Sequence, residues 1–201
     1  MKANLLNESG FDSKSLFKEL SLQEADTLNR MQEGLNWVIP TNIDCVLIGG
    51  VAVAHYLPSA RSLTPDFDFL VADIKGLKEL LGNQKIDFSP LANSNGGFEL
   101  GITIPKFNID FLDANSQFKA VNHFAIKTAE QANIGGIKLK VVSPESLVIM
   151  KFGMGRDKDD KDAFALLQSG VVSRIKYLDA LLALNPNIDY ITLQGYSKLI
   201  K

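Results

Sequence analysis

The chain has 201 residues, 46% of them hydrophobic, with 21 basic and 23 acidic side chains and a net charge of −2. That is enough apolar material for one domain with a helical extension, or for two small lobes, and it lacks the strong basic excess of a dedicated nucleic-acid binder. The longest apolar run, residues 45–57, contains His55 and two glycines and is shorter than the roughly 20 residues that span a bilayer. The opening MKANLLNESGFDS has no apolar signal core, so a cytoplasmic protein is expected. The single Cys45 excludes an internal disulfide and reads as a small packed hydrophobe, while His55 and His123 lie too far apart for a zinc motif.

In chain order, Leu16, Leu20, Leu28, Met31, Leu35 and Val38 recur at helical intervals between residues 13 and 39, with Ser13 or Ser15 as a cap and Pro40 as a stop. A strand at 44–48 then runs into Gly49-Gly50, followed by a helix at 51–57, a strand at 66–72 and a helix at 74–82 closed by Gly82-Asn83, a β-α-β-α order. SPLANSNGG reads as a loop, and FELGITI and NIDFLD as a hairpin joined by a short PKF connection in a mixed sheet. Residues 119–131 match no recognised pattern. After a strand at 137–142, Ser143-Pro144-Glu145 supplies a cap, a proline at the first helical position and an early acid. Helices are expected at 144–154, 160–169 and 171–184, with a further segment around 189–199. The expected organisation is an N-terminal helical extension at 1–41, a core at 42–142 and a helical region at 143–201 packed on that core.

The chemistry concentrates in three places. Gly49-Gly50 ends a buried strand where the chain turns directly into a helix, so a ligand meets no Cβ and the helix start offers free N–H groups to a phosphate. Arg61, Thr64, Asp66 and Asp68 follow. On a strand, Asp66 and Asp68 face the same side about 6 to 7 Å apart, a spacing at which two carboxylates share a hard cation or else repel. Asp110 on the second hairpin strand would complete an oxygen cluster for Mg²⁺, whereas Asp113 differs in parity and reads as a turn residue. Finally, Lys151, Arg156, Lys158, Asp159 and Asp162 lie between two apolar helical stretches. They read either as a second wall of a cleft or as a helix start with Asp159 as its cap. Residues 138–176 carry 8 basic and 5 acidic side chains, against 11 and 16 in residues 1–137, a local field that would attract a polyphosphate or an RNA backbone.

On IGGVAVAHYLPSARSLTPDFDFLV, FNIDFLD and SPESLVIMKFGMGRDKDDKDAFALL, the chain resembles the nucleotidyltransferase superfamily, specifically the small bacterial AbiEii toxin-like nucleotidyltransferases, across about residues 44 to 170. The resemblance implies an α/β (α+β) fold, a nucleotidyltransferase-like mixed sheet flanked by helices. It implies that Asp66, Asp68 and Asp110 bind Mg²⁺ and the triphosphate of an NTP, with Asp110 also helping to deprotonate an acceptor hydroxyl. Gly49, Gly50, Arg61, Thr64, Lys151, Arg156, Lys158, Asp159 and Asp162 would line the nucleotide. The acceptor would be an RNA such as tRNA, or a protein, and the chain would be the toxin partnered by an antitoxin protein. Position 50 is glycine where many active relatives carry serine. Two alternatives stay open: a catalytically weak nucleotide-binding partner subunit, and an aminoglycoside-type enzyme acting on a small molecule.

Overall fold

The computed structural model describes residues 26, 29–30, 32–36, 43–58, 64, 66–92, 99–116, 118–134, 137–189, 192, 195, 198 and 200. The helix expected at 13–39 and the segment at 189–199 fall largely outside the described residues, although residues 32–36 are helical and Leu35 belongs to the core. The elements are β1 (Cys45–Ile48), α1 (Gly49–Tyr56), β2 (Phe67–Val71), α2 (Ile74–Asn83), β3 (Ser89–Ala92), β4 (Glu99–Ile104), β5 (Ile109–Asp113), α3 (Lys119–Lys127), β6 (Glu130–Ile134), β7 (Ile137–Val141), α4 (Pro144–Met154), α5 (Asp157–Ser169) and α6 (Arg174–Leu184).

Seven strands form one mixed sheet in the order β3-β4-β5-β2-β1-β7-β6, flanked by helices, as the sequence leads one to expect of the fold class. The β2–β5 and β1–β7 pairs are parallel and the remaining four antiparallel. The centre of the sheet is apolar because β2 is covered on both sides: Phe67, Phe69, Leu70 and Val71 are all fully buried. Phe69 stacks on Phe111 of the neighbouring strand with ring centroids 5.5 Å apart, a cross-strand aromatic pair that adds to simple burial. Among the described residues no helix is long and apolar enough to cross a membrane.

Several boundaries differ from the sequence reading for identifiable reasons. SPLANSNGG is not all loop, because Ser89–Ala92 pairs antiparallel with β4 at the sheet edge, where the missing N–H of Pro90 is tolerated. Residues 119–131 supply α3 and the start of β6. β6 is a polar edge strand, and α3 begins at Phe118, which gives no side-chain cap, so neither carries the usual marks. α1 starts at Gly49 rather than 51, α5 starts at Asp157 rather than 160, and α6 begins at 174 with Ser173 accepting from the Lys176 N–H.

α4 is held at its start. Ser143 accepts the Ser146 N–H, the Ser143, Ser146 and Thr128 hydroxyls form one buried network, and the buried Glu145 carboxylate accepts the Ser173 N–H at 2.7 Å. These contacts fix α4 between α3 and α6. The half-buried Tyr56 hydroxyl on α1 donates to the Val142 carbonyl at 2.9 Å, tying α1 to the residues that lead into α4.

β4 approaches β5 closely at Gly101, where an added Cβ would lie 1.9 Å from the Phe111 carbonyl oxygen. Gly101→Ala must therefore push the two strands apart. Overpacking of this kind costs about 1–3 kcal/mol, and urea unfolding of the variant should show a loss of that size.

Candidate functional site

Asp68 sits in the middle of the sheet with Ile48 of β1 opposite it on one side and Asp110 of β5 in register on the other. Parallel register places Asp68 and Asp110 on the same sheet face, with backbones one strand spacing, about 4.8 Å, apart. The Asp68 carboxylate fills the space in front of Gly49, so a Cβ at position 49 would lie 1.9 Å from Oδ2, and Gly49 itself adopts φ +70°. Only glycine meets both demands. Among the described residues no side chain caps the start of α1, which leaves its first N–H groups open to a ligand. Burial, then Asp110, then Asp66, push the Asp68 carboxyl up to about 6, with Lys151 and Lys158 pulling the other way.

Asp66 is exposed and lies one residue before β2 rather than in it. Its Oδ1 accepts a hydrogen bond from Asn108 Nδ2 at 3.0 Å, its backbone carbonyl accepts from the Thr64 hydroxyl at 3.3 Å, and Asn108 also accepts the Phe67 N–H on its own carbonyl. Asn108 stands in the β4–β5 turn at φ 58°, a conformation asparagine tolerates better than most residues. Sequence reasoning passed over Asn108, whose signal was its place two residues before Asp110. Asp113 closes β5 as a turn residue, accepting the Asn115 N–H at 2.8 Å. Arg61 lies outside the described residues.

Among the described residues no three His, Cys, Asp or Glu side chains form a group that could hold a metal ion as they stand. The donors nevertheless suit a hard cation: Asp68 and Asp110 are neighbouring oxygen ligands in a site that accumulates negative charge, and Mg²⁺ needs only one or two carboxylates beside water and substrate phosphate.

The charged segment after the sheet builds a wall. Lys151 on α4 is buried and pairs with Asp159 at 2.7 Å and Asp162 at 3.0 Å on α5. Arg156 Nε reaches the second Asp159 oxygen at 2.5 Å while half its side chain stays exposed. Asp159 is therefore not the helix cap: Arg156 holds the cap position, and the Asp159 carboxylate bridges Lys151 and Arg156. Burial alone would raise the Asp159 carboxyl, but the hydrogen bonds from Arg156 and Lys151 overcome it and hold it below the ordinary carboxylate value. Lys158 is exposed. Against this wall lies a pocket of about 170 Å³ lined by Gly49, Asp68, Lys151 and Arg156 together with the apolar Leu100, Leu112, Phe118 and Met154. Gly50, inside α1, is buried.

The two remaining polar groups of interest are structural. His55 packs on α1 with its ring edge-on to Tyr56, its pKa lowered by burial. Burial and then Asp44 push the Cys45 thiol up to about 11.

Residues 27–182 match the model of a family described as nucleotidyl transferase of unknown function (DUF2204). No curated protein matches the chain. Among solved structures, an antigenic nucleotidyltransferase-like protein from Paracoccidioides brasiliensis is similar at 17% identity and a TM-score of 0.42, over 89% of this chain and 93% of that one. The antibiotic-resistance factor ANT(2'')-Ia is similar at 13% identity and a TM-score of 0.49, over 94% and 99%.

The geometry has two consequences for stability. Because the folded Asp68 pKa is raised, the folded state holds that proton more tightly than the unfolded chain. Its stabilising contribution is complete below about pH 3.8 and is lost as pH rises through about 6. Asp68→Asn should therefore be more stable than the parent at pH 8 by up to about 3 kcal/mol, and this advantage should shrink toward pH 4.5 in urea melts run across that range. Lys151→Met leaves Asp159 and Asp162 buried without their shared cation. That variant should lose about 3–5 kcal/mol, the usual cost of breaking a buried ion pair on one side.

Proposed function

The chain belongs to the nucleotidyl transferase family whose model it matches, and within that family we propose that it moves a nucleotide from an NTP to an RNA, such as tRNA, or to a protein. The reading includes an AbiEii-like role as the toxin of a toxin-antitoxin pair in the cytoplasm, neutralised by an antitoxin protein. The observation that carries the chemistry is the register of Asp68 with Asp110, with Asp68 lodged against Gly49 beside the uncapped start of α1.

In this reading Asp66, Asp68 and Asp110 hold Mg²⁺, which when bound supplies the positive charge that screens the phosphates and the leaving pyrophosphate. Gly49 gives its side-chain space to the Asp68 carboxylate, and the backbone N–H groups of Gly49 and Gly50 at the helix start would meet the triphosphate. Arg156 and Lys158, both exposed, meet its outer oxygens, together with Arg61 and Thr64, which precede β2 in the sequence. Lys151 is a fixed charge in the wall, kept in place by Asp159 and Asp162. The acceptor oxygen bonds to the α-phosphorus, the bond from that phosphorus to the β-bridging oxygen breaks, pyrophosphate leaves, and the acceptor proton passes to Asp110. Negative charge develops on the phosphate oxygens, where fixed cations are most effective.

Incubated with Mg²⁺, each α-labelled NTP in turn, and total cellular RNA or protein, the purified chain should label a macromolecule. Asp68→Asn keeps the shape but weakens cation binding, and should lower the rate by a factor of about 10² to 10³ or more, roughly 3 to 4 kcal/mol. Binding of all four nucleotides without any labelling would replace this reading with that of a catalytically weak partner subunit. Label confined to small cationic compounds would replace it with an aminoglycoside-type activity.

A further inference from the structure

Phe118 occupies a position that suits phenylalanine badly in three respects. It has φ 64° and ψ 33°, in the left-handed region that a bulky side chain rarely enters. It stands at the N-cap of α3 without a side-chain hydrogen bond, where Ser, Thr, Asp or Asn would satisfy a free N–H. It also leaves 44% of its surface exposed, so burial recovers little. Backbone strain of this sort gathers at ligand clamps, and Phe118 lines the same pocket as Asp68 and Gly49.

That pocket has a mixed lining: Gly49, Asp68, Lys151 and Arg156 bring backbone and charge, while Leu100, Leu112, Val121, Met154 and Phe118 bring apolar surface. Met154 is likewise 48% exposed, so two of the apolar lining side chains keep much of their surface in solvent. The volume of about 170 Å³ is enough to admit a planar ring, since an apolar cavity of about 150 Å³ holds benzene. A ligand that matches this mixed lining carries both charge and a flat apolar part.

We propose that Phe118 is the stacking platform for the base of the bound nucleotide, whose phosphates point to Gly49 and Asp68. The proposal rests on the NTP reading above and adds to it the residue that grips the base. An exposed aromatic ring can stack with any base, and the polarisable thioether of Met154 lines the same pocket. The strained backbone belongs to a ring that lines the pocket and is not part of the core.

The test titrates the four NTPs and inorganic tripolyphosphate, each with Mg²⁺, against the full chain and its Phe118→Leu, Phe118→Gly and Phe118→Trp variants. The Leu and Gly variants should bind NTPs about 5- to 100-fold more weakly while tripolyphosphate affinity stays unchanged, and the Trp variant should bind NTPs as the parent does. Phe118→Gly should also melt no lower than the parent, because glycine adopts φ 64° without strain. A purely structural role for the ring predicts a lower melting temperature instead. Unchanged NTP affinity in Phe118→Gly, or equal losses for NTP and tripolyphosphate, would overturn the proposal. So would a defect confined to acceptor turnover, which would give the ring to the acceptor. If the parent binds tripolyphosphate but no NTP more tightly, the base seat fails while the phosphate site stands. If it binds neither, the nucleotide reading falls and takes this one with it.

Discussion

The Asp68 carboxylate lies where a Cβ at position 49 would be, and the rest of the site follows from that contact. It requires glycine at the end of β1, and it lets the chain pass from strand to helix with no intervening loop. It also sets the first amides of α1 beside the carboxylate. The sheet order does the rest, since β2 lies between β1 and β5. One neighbour of Asp68 is therefore the apolar Ile48 and the other is a second acid, Asp110. The apolar side and the like charge both raise the Asp68 pKa. The site is thus built against its own stability, as sites that need concentrated charge commonly are.

The opposite wall handles its charges in another way. Lys151 is buried between two carboxylates, whereas Arg156 shares one of them and keeps half its side chain in solvent. A buried ion pair contributes little net stability compared with an apolar substitute, yet it fixes its members in place. Lys151 accordingly acts as a stationary positive charge near Asp68, while Arg156 retains the freedom to turn toward a ligand. The hydroxyl network at Ser143 and the Glu145 link to Ser173 matter here because they set the start of the helix that delivers Lys151.

The parts of this arrangement that were legible in the sequence are those governed by strong local rules. Alternation along FDFLV and NIDFLD put Asp68 and Asp110 on strands, and Ser143-Pro144 marked the start of α4 at the residue observed. The elements that were missed lack such rules. β3 and β6 are edge strands, half polar, whose pairing is decided by their neighbours. α3 opens on a phenylalanine in a left-handed conformation, which no capping pattern anticipates. One of the two readings of Asp159 made it a cap, because it is an acid near a helix start. Its real partners are Lys151, eight residues back and on another helix, and Arg156. Asn108 was passed over for the same reason, because its bond to Asp66 spans 42 positions.

Charge balance also bears on the order of binding in the proposed reaction. Three carboxylates project from the sheet region, while the wall pairs Lys151 and Arg156 against Asp159 and Asp162 and is close to neutral. Lys158, which also acts to lower the Asp68 pKa, adds a further positive charge. A free triphosphate therefore meets a net negative surface, and at separations below a Debye length, about 8 Å at physiological salt, that repulsion is only partly screened. A cation alone gains from the carboxylates, and a cation already carrying phosphates gains from the lysine and arginine as well. Cation and nucleotide affinities are then linked and reciprocal. In the proposed reaction the acidic centre of the sheet would admit the polyphosphate together with its metal.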